Sequence, residues 1–131
     1  MKLNIKAPFK ITAWEPFTEE DDEIEDIGRA RIRKEFSGEL EGTSVANAIL
    51  YQTPVQSGGY VALERITGKI RDREGSFVVQ HSGIRDTDGS GPAYGDVVPG
   101  SGTGGFVGVT GSMNIAQDDS GEYFLLDLDI D

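Results

Sequence analysis

Along most of the chain, apolar and polar residues alternate in short runs separated by glycine-rich turns, and no apolar stripe of helical period persists over three turns. A period of two is what a strand shows when one face is buried, so the pattern predicts an all-β protein. One recurrence sharpens this. Phe36-Ser-Gly-Glu-Leu-Glu, Ile66-Thr-Gly-Lys-Ile-Arg and Val109-Thr-Gly-Ser-Met-Asn share the order apolar, Ser or Thr, Gly, any, apolar, polar, and each is followed by a turn and a further apolar run.

These are read as three hairpins, with each turn placed where apolar residues come to lie opposite apolar ones. A turn at Glu41-Gly42 puts Phe36, Gly38 and Leu40 on one face with Val45, Asn47, Ile49 and Tyr51, and sends Ser44, Ala46 and Ala48 to the other. A turn at Asp72-Arg73 sets Ile66 against Val79, and one step further sets Glu64 directly opposite His81. A turn at Asp119-Ser120 sets Val109, Gly111, Met113 and Ile115 against Ile130, Leu128, Leu126 and Phe124. An opening strand around Phe9 to Trp14 and a short one near Ala93 to Val98 bring the total to seven or eight. That is enough for a single antiparallel β-barrel of about eight strands over residues 1–131, although periodicity alone does not separate a barrel from a two-sheet sandwich.

Composition narrows the partners. The 131 residues carry a formal charge of -11, which repels phosphate backbones and anionic lipid, so neither nucleic acid nor a membrane is expected as a partner. Seven of the carboxylates crowd into TEEDDEIED at 18–26, read as a solvated acidic loop. The absence of cysteine rules out disulfides and thiolate metal sites, and with no apolar run long enough for a signal segment or a membrane span it points to a cytoplasmic protein.

Taken together, KITAWEPF, RKEFSGELEGTS, YVALERITGKI, GSFVVQHSG and VVPGSGTGGFVGVTG resemble a family of small bacterial proteins without an established activity, whose known folds are barrels like that of allene oxide cyclase. The resemblance covers nearly the whole chain. It implies an eight-stranded antiparallel barrel in a group where homo-oligomers, trimers included, are common. It implies no activity, and no catalytic residue of allene oxide cyclase is carried over to this sequence.

The candidate chemistry gathers around the single histidine. Glu64 and His81 both fall on the inferred inner face, where a lone charge would cost several kcal/mol, so each needs a partner. Together they form a general acid and base unit or a structural pair. The same alternation turns Lys34, Asn47 and Tyr51 inward, and Tyr60 and Trp14 are aromatic candidates for the same region. Lys34, Asn47, Tyr51, Tyr60, Glu64 and His81 are therefore the candidate ligand-binding set, with Glu64 and His81 as candidate catalytic residues. So many polar groups in one interior predict a partly hydrated cavity or a polar barrel end.

Two motifs carry less. Gly100 to Gly105 satisfies G-x-G-x-x-G, but the residues that follow read as a strand, without the helix dipole that a dinucleotide site uses. Asp86 to Gly91 looks like the start of a calcium loop, yet Val97 stands where a bidentate glutamate belongs. No cofactor and no metal site are expected. Three readings stay open: a barrel binding a small apolar or amphipathic molecule, an isomerase or cyclase using the His/Glu pair, and a structural or interaction protein with a filled barrel.

Overall fold

The structure, a computed structural model, describes residues 1–17 and 26–131. The acidic run therefore lies outside the described residues except for Asp26. Nine strands form among them: β1 (Lys2–Phe17), β2 (Ile27–Phe36), β3 (Leu40–Gln52), β4 (Gly58–Ile70), β5 (Arg73–Arg85), β6 (Ala93–Val97), β7 (Thr103–Gly104), β8 (Thr110–Asp118) and β9 (Gly121–Asp129). All neighbours are antiparallel, and the order β4-β3-β2-β1-β9-β8-β6-β5 closes through a β4–β5 ladder into a ring of eight. The all-β barrel read from the sequence is the observed architecture. Closure leaves the ring strands with neighbours on both sides over much of their length, which removes the exposed edges of an open sheet.

The ninth strand is a fragment. β6 pairs with β5 at Val79–Gly83, and two-residue β7 resumes the same side of β5 at Gly75 and Ser76, so Val98 to Gly102 interrupt what would be one strand. The glycine-rich segment Gly100 to Gly105 begins in this interruption and runs through β7. No helix follows it, and Phe106 and Val109 drop into the core.

The third hairpin has the register read from sequence, with Gly111, Met113 and Ile115 opposite Leu128, Leu126 and Phe124. The second is displaced by two residues. Its turn lies at Arg71-Asp72, Arg71 adopts a positive φ of 56°, and Ile66 meets Phe77 rather than Val79. An even displacement preserves the faces, so Glu64 and His81 both point inward although Glu64 pairs with Val79 and His81 with Ala62.

The first hairpin corrects the sequence reading outright. The chain turns earlier, around Gly38 at φ 84°, where the Ser37 amide donates to the Pro8 carbonyl, and Phe36 then pairs with Gly42 and Lys34 with Ser44. This odd displacement exchanges the faces. Ser44, Ala46 and Ala48 are inside, while Val45, Asn47, Ile49 and Tyr51 are outside. Asn47 and Tyr51 are thus not interior groups.

The interior has two parts. Toward one end, Phe77, Phe106, Phe124, Met113 and a set of Leu and Ile residues from β1, β3, β4 and β9 form a continuous apolar core. Phe77 and Phe106 meet edge to face at 5.2 Å, and Phe9, Phe36 and Phe124 form a second aromatic cluster with centroids 5.0 to 5.8 Å apart. Toward the other end the cluster is Ala30, Ile32, Ala46, Ala48 and Ala62, with Leu50 and Tyr60 packed against it. Ala30, Ala48, Ala62 and His81 form one cross-strand row, and Ile32, Ala46, Glu64 and Val79 the next. Small side chains on β2, β3 and β4 leave the space that the long polar ones occupy.

Candidate functional site

Lys34 of β2, Ser44 of β3, Glu64 of β4 and His81 of β5 are the buried polar side chains among the described residues, and they converge on one carboxylate. Glu64 Oε1 accepts from Lys34 Nζ at 2.9 Å and lies 2.8 Å from His81 Nε2, and Oε2 accepts from the Ser44 hydroxyl at 2.5 Å. His81 Nδ1 is in turn 2.8 Å from the hydroxyl of Tyr60, which is partly buried. The chain runs ammonium, carboxylate, imidazole, phenol from β2 through β4 to β5 and back to β4, with Ser44 of β3 bonded at the carboxylate. Every buried side-chain nitrogen or oxygen among the described residues has a hydrogen-bond partner. The predicted need for pairing is met by mutual satisfaction.

Aromatic rings complete the setting. The Lys34 ammonium lies 4.9 Å from the centre of the Phe9 ring and 4.8 Å from that of Phe124, so its remaining positive field meets π faces. His81 packs edge to face against Tyr60 and Phe124. Gly83, next to Tyr60 in the β4–β5 ladder, makes room for the phenol ring: a Cβ there would come within 2.8 Å of it.

Burial alone would push the Glu64 carboxyl up. The His81 hydrogen bond, the Lys34 charge, the Ser44 hydrogen bond and the His81 charge outweigh it and hold the acid down at about 2. Glu64 is therefore ionised at neutral pH and can only accept, so His81 Nε2 carries the proton between them. In the neutral imidazole this leaves Nδ1 as the acceptor of the Tyr60 O–H. Burial, with the charges of Glu64 and Glu122 adding to it, pushes the phenol up to about 12. Tyr60 keeps its proton at neutral pH and offers its oxygen lone pairs. A proton received at that oxygen can be matched by release of the phenolic proton to His81 Nδ1, which is the chemistry of a relay.

Of the six residues singled out from sequence, four meet here: Lys34, Tyr60, Glu64 and His81. Asn47 and Tyr51 do not, because of the reversed faces of β3, and Trp14 sits half exposed on β1 outside the network. Ser44 was missed for the same reason. Its cue was available in the same sequence, since the register that sends Ala46 and Ala48 inward carries Ser44 with them. Ser82 points away from His81, as adjacent strand residues must.

Two recesses adjoin the site. One, of about 390 Å³, lies at the Tyr60 end and is walled by Ile27, Ile49, Leu50, Tyr51, Val61, Ile84, Pro92 and Tyr94, with Gly59, Tyr60, Ser82 and Gly83. The other, of about 420 Å³, is a hollow on the outer face of β3 to β6 and includes Asn47, Leu63, Gln80 and Asp96. In the Asp86 to Gly91 loop, Asp88 accepts from the Ser90 amide and hydroxyl, a local turn bond. No group of three or more His, Cys, Asp or Glu is placed to hold a metal ion, and no helix is long and apolar enough to cross a membrane, among the described residues.

Comparison with known proteins agrees with this fold. Residues 5–129 match the model of a family described as protein of unknown function, DUF3224. The crystal structure of a protein of unknown function from that family in Shewanella oneidensis MR-1 is similar over 100% of this chain and 98% of its own, with a TM-score of 0.85 and 31% identity. No curated protein matches the chain.

Proposed function

The chain belongs to the DUF3224 family, whose function is unknown, and from that premise we propose that it binds a small apolar or amphipathic molecule in the recess at the Tyr60 end of the barrel. The observation that carries this reading is the recess itself, about 390 Å³ in volume with predominantly aliphatic and aromatic walls. That is the size and character of a small-molecule site. The apolar body of the ligand lies against Ile49, Val61 and Ile84, and its polar end reaches the hydroxyls of Tyr51, Ser82 or Tyr94. The ring of Tyr60 forms the wall toward the interior and is held in place by His81. The lack of cysteine supports a cytoplasmic setting as part of this reading.

A second reading is favoured by the relay. A carboxylate fixing the tautomer of an imidazole that bonds a phenol is a proton-transfer unit, and beside an apolar recess it suits an isomerase or cyclase. The likeness to allene oxide cyclase barrels belongs to this reading, with no residue correspondence attached.

Native mass spectrometry of freshly purified protein tests the first reading. We expect a retained molecule of defined mass, lost in Ile84→Asp, a change at a mostly exposed wall position that leaves the fold intact. Absence of a retained mass, together with no saturable binding of a neutral apolar dye, contradicts it. His81→Ala separates the two readings: retention with loss of turnover supports the enzyme.

A further inference from the structure

At the Tyr60 end of the barrel, side chains on the inner face are left exposed. Trp14 pairs with Ile32 and Ile11 with Lys34, and both partners are buried in the interior, so Trp14 and Ile11 lie on the inner face as well. Yet Trp14 is 51% and Ile11 45% exposed. At the other end the inner-face residues form the closed apolar core. The lumen is therefore filled at one end and open at the other.

Glu122 belongs to the same opening. β4 and β9 stand four places apart in the ring of eight, directly opposite each other, and an even number of antiparallel steps makes them run the same way. Inner faces of opposite strands converge on the barrel axis. On β9, Phe124 is buried against the His81 ring, and Glu122, two residues earlier, is the next inner-face position toward the opening. On β4, Tyr60 precedes Ala62, the partner of His81, in the same way, and its phenol bonds His81. Glu122 and Tyr60 thus face each other across the lumen. After burial and the charge of Glu64, the charge of Glu122 also raises the phenol.

Both groups offer acceptors. With Nε2 of the neutral imidazole holding its proton toward Glu64, the Tyr60 O–H is committed to His81 Nδ1, and only oxygen lone pairs remain for the lumen. The Glu122 carboxylate has no ionic partner among the described residues, and inside the network Lys34 already offsets Glu64. We propose that this opening binds an organic ammonium, a protonated primary or secondary amine whose N–H groups donate to the Tyr60 oxygen and the Glu122 carboxylate. Its apolar body lies against Trp14, Ile11 and Leu50, the last paired with Tyr60. Two facing acceptors call for two donors on one positive nitrogen, which a carboxylate lacks and an alcohol supplies only in part. The net charge of -11 draws such a cation in. The recess of the ligand reading is walled mostly by outer-face residues, so this is a separate site and stands whether or not that recess is occupied.

Titration of the full chain with hexylammonium at about pH 7.5, where an alkylamine is protonated, tests this with the ¹⁵N resonances of His81 as reporter. Saturable binding is expected in the millimolar range or tighter, with a shift at Nδ1 as the Tyr60 oxygen gains a donor. Hexyltrimethylammonium, which has the charge but no N–H, and hexanoate should each bind about tenfold or more weakly. Glu122→Gln should weaken hexylammonium by about tenfold and Tyr60→Phe by about threefold or more. Glu41→Gln, the same charge change on an exposed residue at the far end of β3, should act by less than about twofold. No saturable binding, hexyltrimethylammonium bound as tightly, a Glu122→Gln effect no larger than that of Glu41→Gln, indifference to Tyr60→Phe, or binding that leaves the His81 resonances in place would each overturn the proposal.

Discussion

The two ends of the barrel interior solve the same packing problem in opposite ways. Around Phe77, Phe106 and Phe124 the space is filled by bulky apolar side chains from most strands, and the filling is distributed. Around Glu64 it is filled by three long polar side chains, Lys34, Glu64 and His81, reaching across a floor of alanines. In the first region each side chain contributes burial nearly independently. In the second, each group is tolerable only because the others are present, since an unpaired buried charge costs far more than a pair. In the polar half the loss of one member is therefore partly offset by loss of its partner, whereas losses in the apolar half accumulate.

The largest effects test this contrast. Lys34→Met should cost about 3 to 5 kcal/mol because it strands the Glu64 carboxylate, and adding Glu64→Gln should recover part of the loss. In the apolar half, Phe77→Ala should cost a similar ~3 to 5 kcal/mol, and adding Phe106→Ala should deepen the loss. Urea denaturation of the two double-mutant series measures both. Recovery in the aromatic pair, or simple addition in the ionic one, would break the comparison.

Acid should act on the polar half alone. The Glu64 acid is depressed to about 2 from an ordinary 4.5, so the folded state binds this proton less readily than the unfolded chain. Its contribution is fully present above about pH 4.5 and is lost as pH falls through about 2, on the order of 3 kcal/mol in all. Glu64→Gln should show a flatter stability profile than wild type in that window. A parallel pair of profiles would contradict the assignment.

Smaller effects sharpen the picture. Ser44→Ala removes one bond to an ionised acceptor and should cost about 1.5 to 3 kcal/mol. Tyr60→Phe should cost about 1 kcal/mol. It should also remove a phenol that ionises at about pH 12 from the ultraviolet titration of the protein. Because the folded state holds that proton more tightly, wild type should lose stability between pH 10 and 12 and the variant less so.

The sequence was most legible where burial and hydrophobicity agree. Met113, Ile115, Phe124 and Leu126 alternate cleanly, and their register was readable to the residue. It misled on β3, where the heavier apolar residues Val45 and Ile49 lie outside and Ala46 and Ala48 inside. A rule that sends the bulkiest apolar face to the core fails there for a physical reason. The interior volume opposite those alanines is already taken by Lys34, Glu64 and His81, and on the outside Ile49 lines both recesses. The pair Glu64 and His81 survived because the β4–β5 error was even. Tyr60 was placed beside them by the sequence, but its bond to Nδ1 depends on the room left by Gly83, which alternation does not encode.

His81 is held between a carboxylate and a phenol. Since the chain holds a single histidine, the ¹⁵N spectrum of His81, followed across its titration, is free of overlap. In the neutral imidazole Nε2 should carry the proton and Nδ1 should be unprotonated and hydrogen-bonded. Tyr60→Phe should shift Nδ1 toward the value of a free lone pair, and Glu64→Gln should move the Nε2 proton upfield. The opposite tautomer in wild type, or resonances that neither substitution moves, would contradict it.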